Sequence, residues 1–210
     1  MRKLIEVYAL IIAAVIVFGC STKEEFKVQT FGIITENNTD EIVLINPDRY
    51  DSFSQLVNRI EQIACNDSIP TISVKNKYTE KRIGLANPCW EGVRCILIAR
   101  RNVLKIQDEK IKMNDLVELD SLDEYISKHY TNNGKSYLFS DNPKKAKITI
   151  TYQDLPLSGL KPLIFRVIES FEAQNLETPL ILTLDRIIPP PPPPPKNDQY
   201  ESKKKTCNNR

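Results

Sequence analysis

The chain has 210 residues, 41% of them apolar and 27% charged, a composition that excludes a disordered chain and allows one compact domain or two small ones with a buried core. Its 29 basic and 27 acidic side chains nearly balance, which excludes the global basic footprint of a nucleic-acid-binding protein. The positive excess is local: in 196–210, Lys196, Lys203, Lys204, Lys205 and Arg210 face only Asp198 and Glu201.

At the start of the chain, Met1-Arg2-Lys3 precedes an apolar run at 7–18 that ends in the small Gly19, the anatomy of a secretory signal. Counted from 4 to 19, the segment would span about 24 Å as a helix, short of the roughly 30 Å hydrocarbon core, so a membrane-spanning helix is disfavoured. Val17-Phe18-Gly19-Cys20 resembles a bacterial lipobox. The resemblance implies cleavage after Gly19, acylation of Cys20, and membrane lipid as the partner of that residue. Ser21 is similar to the residue that directs such lipoproteins to the outer membrane. Lys23-Glu24-Glu25 is similar to the acidic surface-export signal of Bacteroidetes lipoproteins, and is equally a solvated linker over 20–25. The periplasmic and surface faces both stay open.

The first structured region is expected at 26–93. Strands are predicted at 27–34, 41–45 and 71–75, and a helix over 52–65, where Ser52 and Gln55 form a capping box and Phe53, Leu56, Val57, Ile60 and Ile63 share one face. Four cysteines besides Cys20 fall in an exported chain: Cys65, Cys89, Cys95 and Cys207. They allow three pairings. A local Cys89–Cys95 clip is geometrically easy, and Cys65 with either of them is the alternative. A metal site is not expected, because the spacing is not CxxC and the only histidine, His129, lies elsewhere.

A second region is expected at 94–188. Strands are predicted at 95–99, 103–112, 147–152 and 179–184, the last nearly all apolar and read as central. A helix at 122–130 would start on a Ser121–Glu124 capping box, with His129 partly exposed near its end. A stronger helix at 158–173 has an apolar stripe from Leu160 to Phe171 and Pro162 in its first turn. The expected fold class is α+β: a mixed sheet with helices on one face, the C-terminal half ordered ββαβαβ. The prolines at 189–195 form a stiff polyproline spacer of roughly 22 Å, and 196–210 is expected to be a disordered basic tail.

No enzymatic chemistry is nominated, and no cofactor is expected. The single histidine leaves no Cys-His pair or zinc cluster, and the six glycines form neither a dinucleotide fingerprint nor a phosphate loop. Asp120, Asp123 and Glu124 read as helix-start acids that complement the dipole rather than as a catalytic pair.

From Arg94 onward the order of elements is similar to the periplasmic domain of the ExbD/TolR family, over about 94–186. The closest local matches are Asp141-Asn-Pro-Lys-Lys-Ala-Lys-Ile-Thr-Ile150 and Val103-Leu-Lys-Ile-Gln-Asp-Glu-Lys-Ile-Lys112, the second resembling the family's first hairpin. The resemblance implies an envelope protein as partner, one belonging to a TonB-type system. It also implies an alternative in which Glu6, in an uncleaved membrane helix, is the proton carrier of a motor subunit. The leading expectation is a lipoprotein of the cell envelope acting as a non-enzymatic binding or scaffolding module. An envelope hydrolase ranks third.

Overall fold

The computed structural model describes residues 27–89, 100–153 and 155–186. Glu6, Gly19, Cys20, Cys95, Cys207, the strand expected at 95–99, the proline run and the basic tail all lie outside the described residues.

The fold is α+β, built on two mixed sheets where a single sheet was expected. The first contains β1 (Lys27–Gly32), β2 (Ile42–Ile45), β3 (Ile69–Lys75) and β4 (Thr79–Gly84), in the order β1-β4-β3-β2. Helix α1 (Phe53–Ala64) connects β2 to the parallel β3. The second contains β5 (Val103–Gln107), β6 (Lys110–Lys112), β7 (Leu116–Glu118), β8 (Lys147–Thr151) and β9 (Leu182–Leu184), in the order β7-β6-β5-β8-β9. Helix α2 (Leu122–Thr131) precedes β8, and α3 (Leu160–Glu172) connects β8 to the parallel β9.

The two sheets meet through the chain that leaves β4. Leu85 N–H donates to Pro70 at 2.8 Å, and the next amide, Ala86 N–H, donates to Leu182 of β9 at 2.8 Å. The Asn87 side chain then clasps Leu184, donating to its carbonyl at 2.6 Å and accepting from its amide at 3.1 Å. β9 is thus the edge strand of its sheet rather than the central strand expected, its outer side met by the irregular segment 86–87, and only 182–184 of the predicted 179–184 are strand.

Alternation decides which strand residues enter the core. Ile72, Val74 and Ile83 of the first sheet join Leu104, Ile106, Ile111, Ile148, Ile150, Leu182 and Leu184 of the second in one buried cluster with all three helices. Helix α1 starts as its sequence requires, with Ser52 Oγ accepting from Gln55 N–H at 3.3 Å; the reciprocal bond runs from Asp51 N–H to Gln55 Oε1. Helix α2 does not use its expected box. Ser121 sits in a 3-10 turn with φ −90° and ψ 7°, outside the extended conformation a cap needs, and Glu124 pairs with Lys128 one turn along.

Three local corrections follow from backbone and packing. The single strand expected at 103–112 is a hairpin whose loop, Asp108-Glu109, has φ of 47° and 60°. Strand β4 was not among the expected strands, because Glu80-Lys81-Arg82 interrupts any apolar alternation. Neither was the short β7. At the end of the first sheet Gly32 faces Gly84 across the β1–β4 ladder, with φ +81° and the Gly84 carbonyl 2.2 Å from where a Cβ would stand, so only glycine fits.

Candidate functional site

The strongest constellation of polar groups lies on the face of the four-stranded sheet turned away from the core. Cross-strand register places Ser73 opposite Arg82 and Lys75 opposite Glu80. Glu80 is only 4% exposed. Its carboxylate accepts from Arg82 Nε at 2.6 Å and from Ser73 Oγ at 2.9 Å, and its second oxygen lies 3.0 Å from Lys75 Nζ. These contacts, led by the Arg82 hydrogen bond and opposed by burial, hold its pKa down at about 2.

Strand β4 alternates, so the neighbouring Lys81 points the other way, into the body of the protein. It lies 2.5 Å from Glu172 and 4.8 Å from the centre of the Phe165 ring, both on α3. The charge run is thus split between a buried tie to α3 and an outward-facing network.

The outward network floors a cavity of about 550 Å³, walled by Leu44, Arg49 and Lys161. Lys161 is held by Asp48 at 2.5 Å. Arg49 has no partner among the described residues, and Arg82 spends only Nε on Glu80. The arrangement presents two guanidinium and two ammonium groups around Glu80, with Lys75 and Arg82 paired to Glu80 and Lys161 to Asp48. Chemically it can accept an oxyanion at Arg49 and the free end of Arg82, since arginine forks match carboxylate and phosphate geometry.

A second cavity, of about 730 Å³, opens on the outer face of the five-stranded sheet between Arg100, Arg101, Lys105, Lys112 and the aromatic Tyr137. It has no carboxylate in its lining. Arg101 is paired outside it with Asp141 at 2.6 Å.

The residues singled out in the sequence are distributed differently. Cys65, the C-cap of α1, is bonded to Cys89 rather than Cys89 to Cys95. The bond closes a 24-residue separation around β3 and β4 and ties α1 to the segment beside β9. His129 is not partly exposed. It is 1% exposed, edge-on to Tyr130 with ring centres 5.7 Å apart, and burial lowers its pKa to about 4 against the opposite pull of backbone groups of Lys147 and Asn102. Asp120 lies 3.6 Å from Arg166 and Glu124 pairs with Lys128, so these acids serve local ion pairs. Among the described residues no group of three or more metal-ligating side chains converges, and no helix is long and apolar enough to cross a membrane.

Neither cavity was read from the sequence. The usable signal was Asn76, whose side chain accepts from Tyr78 N–H at 2.9 Å and Thr79 N–H at 2.7 Å. That Asx turn marks a hairpin, and a hairpin puts Glu80 and Arg82 on one face with Ser73 and Lys75. Compared with known proteins, the chain matches no family model, no curated protein and no solved structure.

Proposed function

We propose that the protein is an exported lipoprotein, held at the outer membrane through acylated Cys20, that works as a non-enzymatic binding module of the cell envelope. The observation that carries this reading is the Ser73–Lys75–Glu80–Arg82 network. A buried carboxylate on an outward face fixes an arginine over a cavity that Arg49, Lys75 and Lys161 also line. Arginine and lysine stay protonated near neutrality, so the site is suited to holding an anionic group rather than to moving protons. The Cys65–Cys89 bond supports export, because such bonds persist in oxidising compartments. Intact mass of the purified protein beside Cys20→Ala tests the anchor. A mature chain beginning at acylated Cys20 in the wild type alone is expected, and a full-length unlipidated chain starting at Met1 would overturn it.

A second reading rests on the C-terminal half. Its strands and helices run β5-β6-β7-α2-β8-α3-β9, an order compatible with an ExbD/TolR-like domain used for protein contacts. In this reading Glu6 stays in the membrane and the partner is an integral subunit of a TonB-type complex. Copurification with such a subunit, lost on Glu6→Gln, separates it from the lipoprotein reading.

A further inference from the structure

The outer face of the five-stranded sheet carries an arrangement that folding alone does not explain. Lys105 on β5 stands directly opposite Lys112 on β6. Like charges in that position oppose each other, and burial together with the Lys112 charge lowers the Lys105 pKa, against a smaller pull from Asp185. Neither lysine has a carboxylate ion-pair partner among the described residues, and Lys112 donates only to the neutral Gln107 at 3.0 Å. Arg100 is likewise without a partner among the described residues. On the four-stranded sheet, Glu80 supplies the anion that such a cluster needs. Here no lining side chain supplies it.

Beside the cations stands an aromatic ring that the core does not use. Tyr137 is 78% exposed and lines the same cavity with Met113 and Leu138. A cavity of about 730 Å³ is within the size range of small-ligand sites, which combine an apolar wall with a few placed charges.

We infer that this cavity binds a small organic oxyanion, its phosphate or carboxylate held between Lys105, Lys112 and Arg100 and its flat or apolar body laid against Tyr137. The inference stands apart from the envelope reading and from the Glu80 cavity. The apparent strain of opposed lysines is then a site waiting for its counter-charge, and the exposed ring is a stacking surface.

The test uses two probes, inorganic phosphate and phenyl phosphate, titrated into the purified full chain at low ionic strength. Thermal unfolding and backbone amide shifts are the readouts. Phenyl phosphate is expected to raise Tm, to move amides of 103–114 and 137–138, and to bind about fivefold to tenfold tighter than phosphate. Tyr137→Ser should make the two probes equal. Lys105→Gln, which relieves the opposed charges and so should fold at least as stably as the wild type, should abolish the shifts of the 103–114 and 137–138 amides with both probes. Arg82→Gln, in the other cavity, should leave the phenyl phosphate shifts of those amides in place. A Lys105→Gln protein that keeps those shifts, an Arg82→Gln protein that loses them, or a wild type in which neither probe moves them would overturn the inference.

Discussion

The two sheets solve different problems with different means. The core face of the four-stranded sheet is covered by α1 and α3, and its half of the chain is reinforced by the Cys65–Cys89 bond and by the ion pairs Lys81–Glu172, Lys161–Asp48 and Arg186–Glu61, which join it to the second half. The five-stranded sheet has two helices, and its interior is filled by Leu104, Ile106, Ile111, Ile148, Ile150, Leu182 and Leu184 beneath the α3 stripe. The disulfide adds a constraint on the unfolded chain that packing does not supply. The outer faces differ in charge. The four-stranded sheet gives its outward cations Glu80 as a partner, whereas Lys105 and Lys112 of the five-stranded sheet have no carboxylate ion-pair partner among the described residues.

The largest expected effect removes the cross-link. Cys65→Ser with Cys89→Ser should cost about 3 kcal/mol by the loop-entropy relation, seen as a lower denaturant midpoint. Local hydrogen exchange should rise first in α1 and β4, and uniform loss across both sheets would show that the halves do not differ in this way.

A somewhat smaller effect probes the interior of the five-stranded half. His129 titrates at about 4 in the folded protein against an ordinary value near 6.5. The folded state therefore binds fewer protons than the unfolded state between those limits. Its contribution is complete above pH 6.5 and is lost as pH falls toward 4, by about 2–3 kcal/mol. His129→Gln should flatten the stability profile in that window, measured by urea titration at successive pH values.

On the outward face, Glu80→Gln should destabilise by about 2 kcal/mol, less than a deeply buried pair would lose, because solvent screens the network. Its carboxylate contributes stability that is present above about pH 4.5 and lost as pH falls toward 2, so this acid limb should vanish in the variant while the His129 limb remains. The smallest effect has the opposite sign. Lys105→Gln should leave stability unchanged or raise it by less than about 1 kcal/mol in ligand-free protein. A clear loss would mean that Lys105 is a structural residue and that the contrast between the two outer faces is mistaken.

Much of the architecture was legible because it follows from local periodicity. The stripe Leu56, Val57, Ile60 and Ile63 dictates α1, and Leu160, Leu163, Ile164, Val167 and Ile168 dictate α3; both are buried where the 3.6-residue repeat puts them. Strand β8 followed in the same way from its apolar positions, and Cys65 was placed correctly at a helix end. His129 was misread and β4 was missed for a shared reason. A polar side chain looks exposed in one dimension, and only the fold reveals that His129 is covered by Tyr130 and the strands, or that Lys81 meets Glu172 91 residues away. The candidate site was illegible because none of its residue types is diagnostic alone.

By itself the sequence determined the α+β class, the three helices and the faces that α1 and α3 bury, since these depend on spacing within a single element. It also carries at 17–20 a local pattern of residue types that resembles a lipobox. The tertiary structure decided the split into two sheets, the Cys65–Cys89 pairing among three open ones, and the opposed fates of Glu80 and Lys81 on a single strand. Those outcomes depend on which strands lie side by side, a property of register between distant segments that no window of sequence contains.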